Sequence, residues 1–455
     1  MPLAAALCVS ALLAGCVDSE DSGVGAEAAA AEPSTAASPA ASPTRTSSPG
    51  RVLPVTPVAP AYTLADPGFE ALPGARAYFG EYKGGIYQIE VPDQWNGEIV
   101  YYAHGYRMNL PVLEVFPPPI REHLIERGYA WAASSFTHNG YEPGIAANDT
   151  IALREVVAST IGTPRRNYLY GQSMGGHIVA LLLEQHPNLF DGAMAECGAV
   201  AGNQILDYFL SWGLLAGYFS DIDMSASALD ADSFGRAVSD AIFPALGTAD
   251  HLTPRGEAFA SVVERLTGGP RPYFREGFLL SYPINFGILG GAITMPGHAN
   301  AAAQNAHTEY TIAEGFGVTA AEINRDVPRV DANPVVRQDP ARYPEFADMT
   351  GRIADPMITL HNTGDLFVPI SAEQEYRRRA VAAGAGDLLV QRAIRRTGHC
   401  VFSHEELVRA FDDLTAWVER GVRPAGDDLL APLEDAGLEF TQPLEPDDPA
   451  LQTAR

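Results

Sequence analysis

Three short stretches hold side chains that can act together on a carbonyl carbon. Gly171-Gln172-Ser173-Met174-Gly175 places a serine between two glycines, Asn362-Thr363-Gly364-Asp365 ends in an acid, and Gly398-His399-Cys400 carries an imidazole. A serine hydroxyl is a weak nucleophile at neutral pH until a base takes its proton. His399 is the candidate base, which would later return that proton to a leaving group. Asp365 is the candidate acid, which would fix the imidazole tautomer and stabilise the imidazolium. The chemistry such a set performs is acyl transfer through a covalent acyl-serine.

Each of these groups needs an element to aim it. Asn167-Tyr168-Leu169-Tyr170 is a β-prone run, and Ile178-Val179-Ala180-Leu181-Leu182-Leu183 continues at helical pitch, so Ser173 falls on a sharp strand-to-helix turn. The small residues on either side let strand and helix approach closely, and the helix N-terminus favours negative charge forming beside the serine. Asp365 stands in a turn after the strand Asp355–Asn362, with Val368-Pro369 behind it. His399 follows the strand Leu388–Ala393. Upstream, Gly85–Val91 alternates as a strand, Ile99–Ala103 is a buried strand ending at His104-Gly105, Ile120–Arg127 reads as a helix and Tyr129–Ala133 as a strand. A helix from an Asp149 N-cap to Ser159 comes next. Strand alternating with helix predicts a mostly parallel sheet covered on both faces.

Residues 200–354 break that rhythm and are expected to form a cap. Ile205–Phe219 and Arg255–Thr267 read as helices there, and between and after them lie many Gly and Pro residues, including Gly268-Gly269-Pro270 and Gly287–Gly291. The cap's aromatic residues either line a pocket or form the cap's own core. Helices Ala372–Ala382 and Glu405–Arg420 follow, and a tail after about residue 440 is expected to fray.

Competing residues exist. Glu196 also follows a strand, but it precedes the cap and lacks the Asn-Thr-Gly-Asp turn. His361 lies within a strand, His177 within the helix after Ser173, His404 at a helix start and His138 in a polar loop that is either surface or pocket. His404-Glu405-Glu406-Leu407 opens like a zinc-protease helix but lacks a second histidine four residues after the first, so no metal is expected.

Through Gly-Gln-Ser-Met-Gly-Gly, Asn-Thr-Gly-Asp-x-x-Val-Pro and Gly-His-Cys, the sequence resembles the α/β-hydrolase superfamily over roughly residues 85–200 and 355–425. The resemblance implies an α/β-hydrolase fold with a large cap insertion, no cofactor, and an oxyanion hole from the backbone N–H groups of Met174 and Tyr106. It is similar to secreted feruloyl-esterase, tannase-like and polyester-depolymerase enzymes, which implies an ester substrate and a Cys197–Cys400 bridge beside the base. In the first two groups a cysteine directly precedes the serine, where this chain has Gln172.

Composition bounds the partners. The 455 residues hold 30 basic and 56 acidic side chains, net −26, so no basic surface is available to neutralise a nucleic acid. Leu3–Leu13 is an apolar run too short to span a bilayer, and Leu13-Ala14-Gly15-Cys16 resembles a bacterial lipoprotein signal that would leave Cys16 carrying lipid. No Lys or Arg precedes that run, where such signals carry a basic segment. Residues 17–60 are rich in Ala, Ser, Thr and Pro and read as an extended tether. Outside the cytoplasm, Cys197 and Cys400 would be free to pair or to stay as separate buried thiols.

The reading is an extracytoplasmic serine hydrolase acting on carboxylic esters, lipid-anchored to a membrane or, if the leader is a plain signal peptide cut at a nearby small residue, secreted. Its rivals are a serine peptidase of the prolyl-oligopeptidase kind, disfavoured by the short stretch before Gly85, and a binding lipoprotein that uses the fold without catalysis.

Overall fold

The structure is a computed structural model that describes residues 51–52, 61–108, 110–224, 235–292, 301–337, 343, 346 and 348–444, with backbone alone for 51–52 and 288–292. The signal segment with Cys16 and all of the tether but Arg51–Val52 lie outside the described residues, as does the tail from 445. Arg51–Val52 pairs in parallel with Val330–Asp331.

Eight strands form one sheet: β1 (Ala75–Tyr82), β2 (Gly85–Pro92), β3 (Glu98–Ala103), β4 (Ala130–Ser134), β5 (Arg166–Gln172), β6 (Gly192–Glu196), β7 (Met357–Gly364) and β8 (Leu389–Thr397). Their spatial order is 1-2-4-3-5-6-7-8. β1 and β2 pair antiparallel, β2 meets β4 antiparallel, and every pairing from β4 to β8 is parallel. The parallel strands read as continuous apolar runs because both faces are covered. Along β3, Ile99 and Tyr101 enter one core, and Val100 and Tyr102 enter the other.

Helices α1 (Arg121–Glu126), α2 (Pro143–Ile161) and α3 (Met174–Gln185) connect the first parallel strands. The cap supplies α4 (Gln204–Phe219), α5 (Pro254–Leu266) and α6 (Phe274–Ala292), and α7 (Ser371–Ala382) and α8 (His404–Arg420) complete the frame. α8 closes one face with Leu407, Phe411, Leu414 and Trp417, and starts at an N-cap Ser403 whose capping box with Glu406 satisfies both ends of the turn.

Several boundaries differ from the sequence reading. α2 begins at Pro143, six residues before Asp149, because proline at the first helical position needs no N–H partner. Asp149 sits inside the helix, where its carboxylate accepts from the Thr137 N–H at 2.7 Å and the Thr137 hydroxyl at 2.9 Å. α6 runs through Pro283 and Gly287–Gly291, while Gly268-Gly269-Pro270 lies in the turn between α5 and α6. Phe278, Tyr282 and Phe286, spaced by four, stack against Trp212 and Phe259, and burying that stripe outweighs the poor helix propensity. The tail stays tied down as far as Gln442: the Arg395 N–H donates to Thr441 Oγ1 at 2.8 Å, and the Gln442 N–H to Glu406 Oε1 at 2.7 Å.

Most of the cap aromatics face inward. Tyr208, Phe209, Trp212, Phe219, Phe274 and Phe278 are buried in the same core as α3 and the sheet, while Tyr218 is half-buried and Tyr273 is exposed. The cap therefore shares its interior with the sheet domain. Among the described residues, no helix is long and apolar enough to cross a membrane.

Candidate active site

The chain leaves β5 and turns into α3 within one residue. Ser173 takes φ +56°, a conformation few non-glycine residues adopt, and α3 begins at Met174. Two glycines make the turn possible. A Cβ on Gly175 would lie 1.9 Å from the Ala103 carbonyl oxygen, and one on Gly171 would lie 2.1 Å from the Gly175 carbonyl oxygen. The Ser173 N–H donates to the Glu196 carbonyl at 3.0 Å, which ties the turn to β6.

The carboxyl ends of three strands bring the candidate residues together. His399 Nε2 lies 2.8 Å from Ser173 Oγ, and His399 Nδ1 lies 2.6 Å from Asp365 Oδ2. Asp365 Oδ1 accepts from the N–H groups of Phe367 at 2.8 Å and Val368 at 3.0 Å, so both carboxylate oxygens are committed. Asp365 is fully buried, and His399 and Ser173 remain in reach of solvent. Phe367 stands edge-on to the His399 ring at 5.0 Å and against Phe209 of α4 at 5.5 Å.

This strand order, with a serine on the turn after β5, an acid after β7 and a histidine after β8, decides the architecture. The fold is that of the α/β-hydrolases.

No protein-family model matches the sequence. The chain is similar to an o-phthalyl amidase of Xanthobacter agilis, 22% identical over 411 residues that cover 76% of this chain and 88% of that protein. Among solved structures it is similar to an esterase from Aspergillus oryzae, with 12% identity, TM-score 0.44 and coverage of 78% and 88% of the two chains. It is likewise similar to feruloyl esterase B from Aspergillus oryzae, with 13% identity, TM-score 0.45 and coverage of 77% and 82%.

The candidate oxyanion donors, the backbone N–H groups of Met174 and Tyr106, belong to segments next to Ser173. Met174 opens α3, where the first N–H groups of a helix have no intrahelical acceptor. The His104–Tyr106 loop abuts the serine, since a Cβ on Gly105 would lie 3.2 Å from Ser173 Cβ. Here His104, which the sequence reading used only as a landmark, has a task. Burial pushes its imidazole down to about 4, so it is neutral, and Nδ1 donates to the Gly105 carbonyl at 2.8 Å. In a trans peptide the N–H opposes the C=O, so holding Gly105 O aims the Tyr106 N–H the other way.

The base loop is clamped twice. Cys197, directly after β6, is disulfide-bonded to Cys400, with Cα atoms 5.1 Å apart. Asn362 Nδ2 donates to the Val401 carbonyl at 2.8 Å, and the Val401 N–H donates back to Asn362 Oδ1 at 2.9 Å. The sequence signal for Asn362 was an amide inside an apolar strand. The two sulfurs and a His399 nitrogen lie within 4.8 Å of one another, but the sulfurs are bonded to each other rather than open as ligands.

The rival residues have other partners. His177 is buried in α3 with Nδ1 3.0 Å from the Tyr141 hydroxyl, and burial pushes it down to about 4. His138 is half-buried, edge-on to Tyr62, with Nδ1 3.1 Å from Thr137 Oγ1. His404 is exposed at the start of α8. His361 is buried beneath Asp365.

Glu196 accepts from the Tyr170 hydroxyl at 2.7 Å and Gln172 Nε2 at 2.6 Å. Burial pushes its carboxyl up to about 7, and those two bonds hold it down only in part. The folded state therefore keeps this proton more tightly than the unfolded chain does. The stability so contributed is full below about 4.5 and is lost as pH rises through about 7. Glu196→Gln has no proton to lose. Its stability relative to wild type is expected to rise by about 3 kcal/mol between pH 4.5 and 7.5 in urea unfolding. A difference that stays flat across that window would reject the assignment.

Proposed function

We propose that this protein is a serine hydrolase that cleaves carboxylic esters through an acyl-enzyme, with Ser173 as nucleophile, His399 as base and Asp365 as orienting acid. The observation that carries it is the unbroken chain from Ser173 Oγ to His399 at 2.8 Å and on to Asp365 at 2.6 Å. Asp365 oxygens are acceptors only, so Nδ1 of His399 bears the proton and Nε2 is free to take the serine's. Oγ attacks the ester carbonyl as its proton passes to Nε2. The oxyanion forms against the N–H groups of Met174 and Tyr106, where each donor is worth roughly 100- to 1000-fold in rate. The imidazolium then gives its proton to the departing alcohol, and water repeats the sequence on the acyl-serine.

Similarity to an o-phthalyl amidase favours a second reading, cleavage of an amide at the same serine. The two readings differ in the leaving group: an amine must be protonated before it departs, whereas an alcohol is a better leaving group. The test compares p-nitrophenyl esters, acetyl to dodecanoyl, with the matching p-nitroanilides. Burst release of nitrophenol with faster ester than anilide turnover is expected, and the optimal acyl length sizes the pocket. The reverse preference selects the amidase. No turnover of either by folded protein selects a binding role.

The same reading places the protein outside the cytoplasm, anchored through lipid on Cys16. Leu13-Ala14-Gly15-Cys16 supports the anchor, and the Cys197–Cys400 disulfide supports an oxidising compartment.

A further inference from the structure

Beneath Asp365 lies a second set of buried ionisable groups that the reaction above does not use. His361 on β7 is fully buried, with Nε2 2.7 Å from the Val368 carbonyl and 3.9 Å from Asp365 Oδ2. Its Nδ1 lies 3.3 Å from Glu373 Oε1 on α7, and Glu373 is also fully buried. The Val368 carbonyl only accepts, so Nε2 carries a proton. Glu373 Oε2 accepts from the Thr359 hydroxyl at 2.6 Å and from Gln391 Nε2, which leaves Oε1 to accept from Nδ1. With Glu373 as the carboxylate, both ring nitrogens donate and His361 is an imidazolium. Burial opposes that charge, but the bond to Glu373, its charge and that of Asp365 together raise the imidazole above its usual range.

We propose that His361, ion-paired to Glu373, is a positioning cation for Asp365. Its Nε2–H holds the Val368 carbonyl, and the N–H of the same residue grips Asp365 Oδ1, so one side chain fixes the loop that presents the acid. Its positive charge stands 3.9 Å from the fully buried Asp365 carboxylate and attracts it where no solvent screens the pair. Other groups face the same point. From the cap, buried Arg271 donates to the Thr363 carbonyl at 2.6 Å and the Tyr208 hydroxyl donates to the Leu366 carbonyl at 2.6 Å; from the base loop comes His399 itself. Arg271 is bonded to two carbonyls, one of them that of Thr363, and to a hydroxyl, whereas His361 Nε2 stands 3.9 Å from Asp365 Oδ2 itself.

The inference rests on the Ser173–His399–Asp365 reading, and its test separates the two. His361→Gln keeps an amide N–H for Val368 without the charge, and His361→Gln/Glu373→Gln also removes the carboxylate left unpaired. The kcat/KM of p-nitrophenyl butyrate hydrolysis is followed against pH, with thermal midpoints as a check on folding. Expected are kcat lowered at least tenfold, KM within twofold, and an acid limb displaced upward by half a pH unit or more. A folded variant with a wild-type acid limb overturns the inference, even if kcat falls, because a merely structural role lowers stability without moving that limb. A second readout needs no variant. In wild type carrying 15N-labelled histidine at pH 6.5, where a free imidazole is about half protonated, both nitrogens of His361 should show the shifts of a protonated ring, and a neutral ring overturns the inference. If Ser173→Ala still turns over the ester, the triad reading itself fails; if Ser173→Ala is dead and the limb of His361→Gln is unmoved, only this inference fails.

Discussion

Ser173→Ala is expected to lower kcat for p-nitrophenyl ester hydrolysis roughly a millionfold while leaving the thermal midpoint within a few degrees of wild type. In the proposed mechanism Oγ bonds the acyl carbon, and the side chains on either side do not replace it: Met174 follows it into α3, and Gln172 is bonded to Glu196. The turn itself should survive, because it is held by the Ser173 N–H on the Glu196 carbonyl and by the close approach of Gly175 to Ala103, neither of which involves the hydroxyl. What remains should be the fraction that oxyanion donors and binding supply without a nucleophile. Turnover within a hundredfold of wild type would place the nucleophile elsewhere.

Asp365→Asn is expected to lower kcat about ten-thousandfold with little loss of stability. The reason is a forced tautomer. Oδ1 accepts from two backbone N–H groups, so the amide oxygen of asparagine must take that side. The NH2 group then faces His399 Nδ1 as a donor and obliges Nδ1 to accept. The ring's single proton moves to Nε2, the nitrogen that must receive one from Ser173. Pre-steady-state acylation by p-nitrophenyl acetate measures the step directly. A loss below tenfold would mean that another carboxylate orients the base. Glu196 cannot do so without abandoning Tyr170 and Gln172.

The tail and cap show where local reading fails. Gly287, Gly290, Gly291 and Pro283 carry strong local signals against a helix, yet α6 runs through Ala292 because Phe278, Tyr282 and Phe286 bury an aromatic stripe that only distant residues supply. Asp149 has the chemistry of an N-cap, but its partner is Thr137, which tertiary packing brings to it from the loop before the helix.

By itself the sequence determined the strand–helix alternation, the serine turn and the chain order of Ser173, Asp365 and His399. These depend on residue type and short-range pattern: apolar runs for buried strands, glycines where no Cβ fits, and turn residues after strands. Beyond Ser173, Asp365 and His399, the tertiary structure decided which groups are partners. Whether Glu196 faces His399 or Gln172, whether Cys197 reaches Cys400 across 203 residues, and whether His361 is an idle strand residue or a buried cation beside Asp365 all depend on the register of neighbouring strands. A shift of one residue there sends a side chain to the opposite face of the sheet, and no local pattern in the chain specifies it.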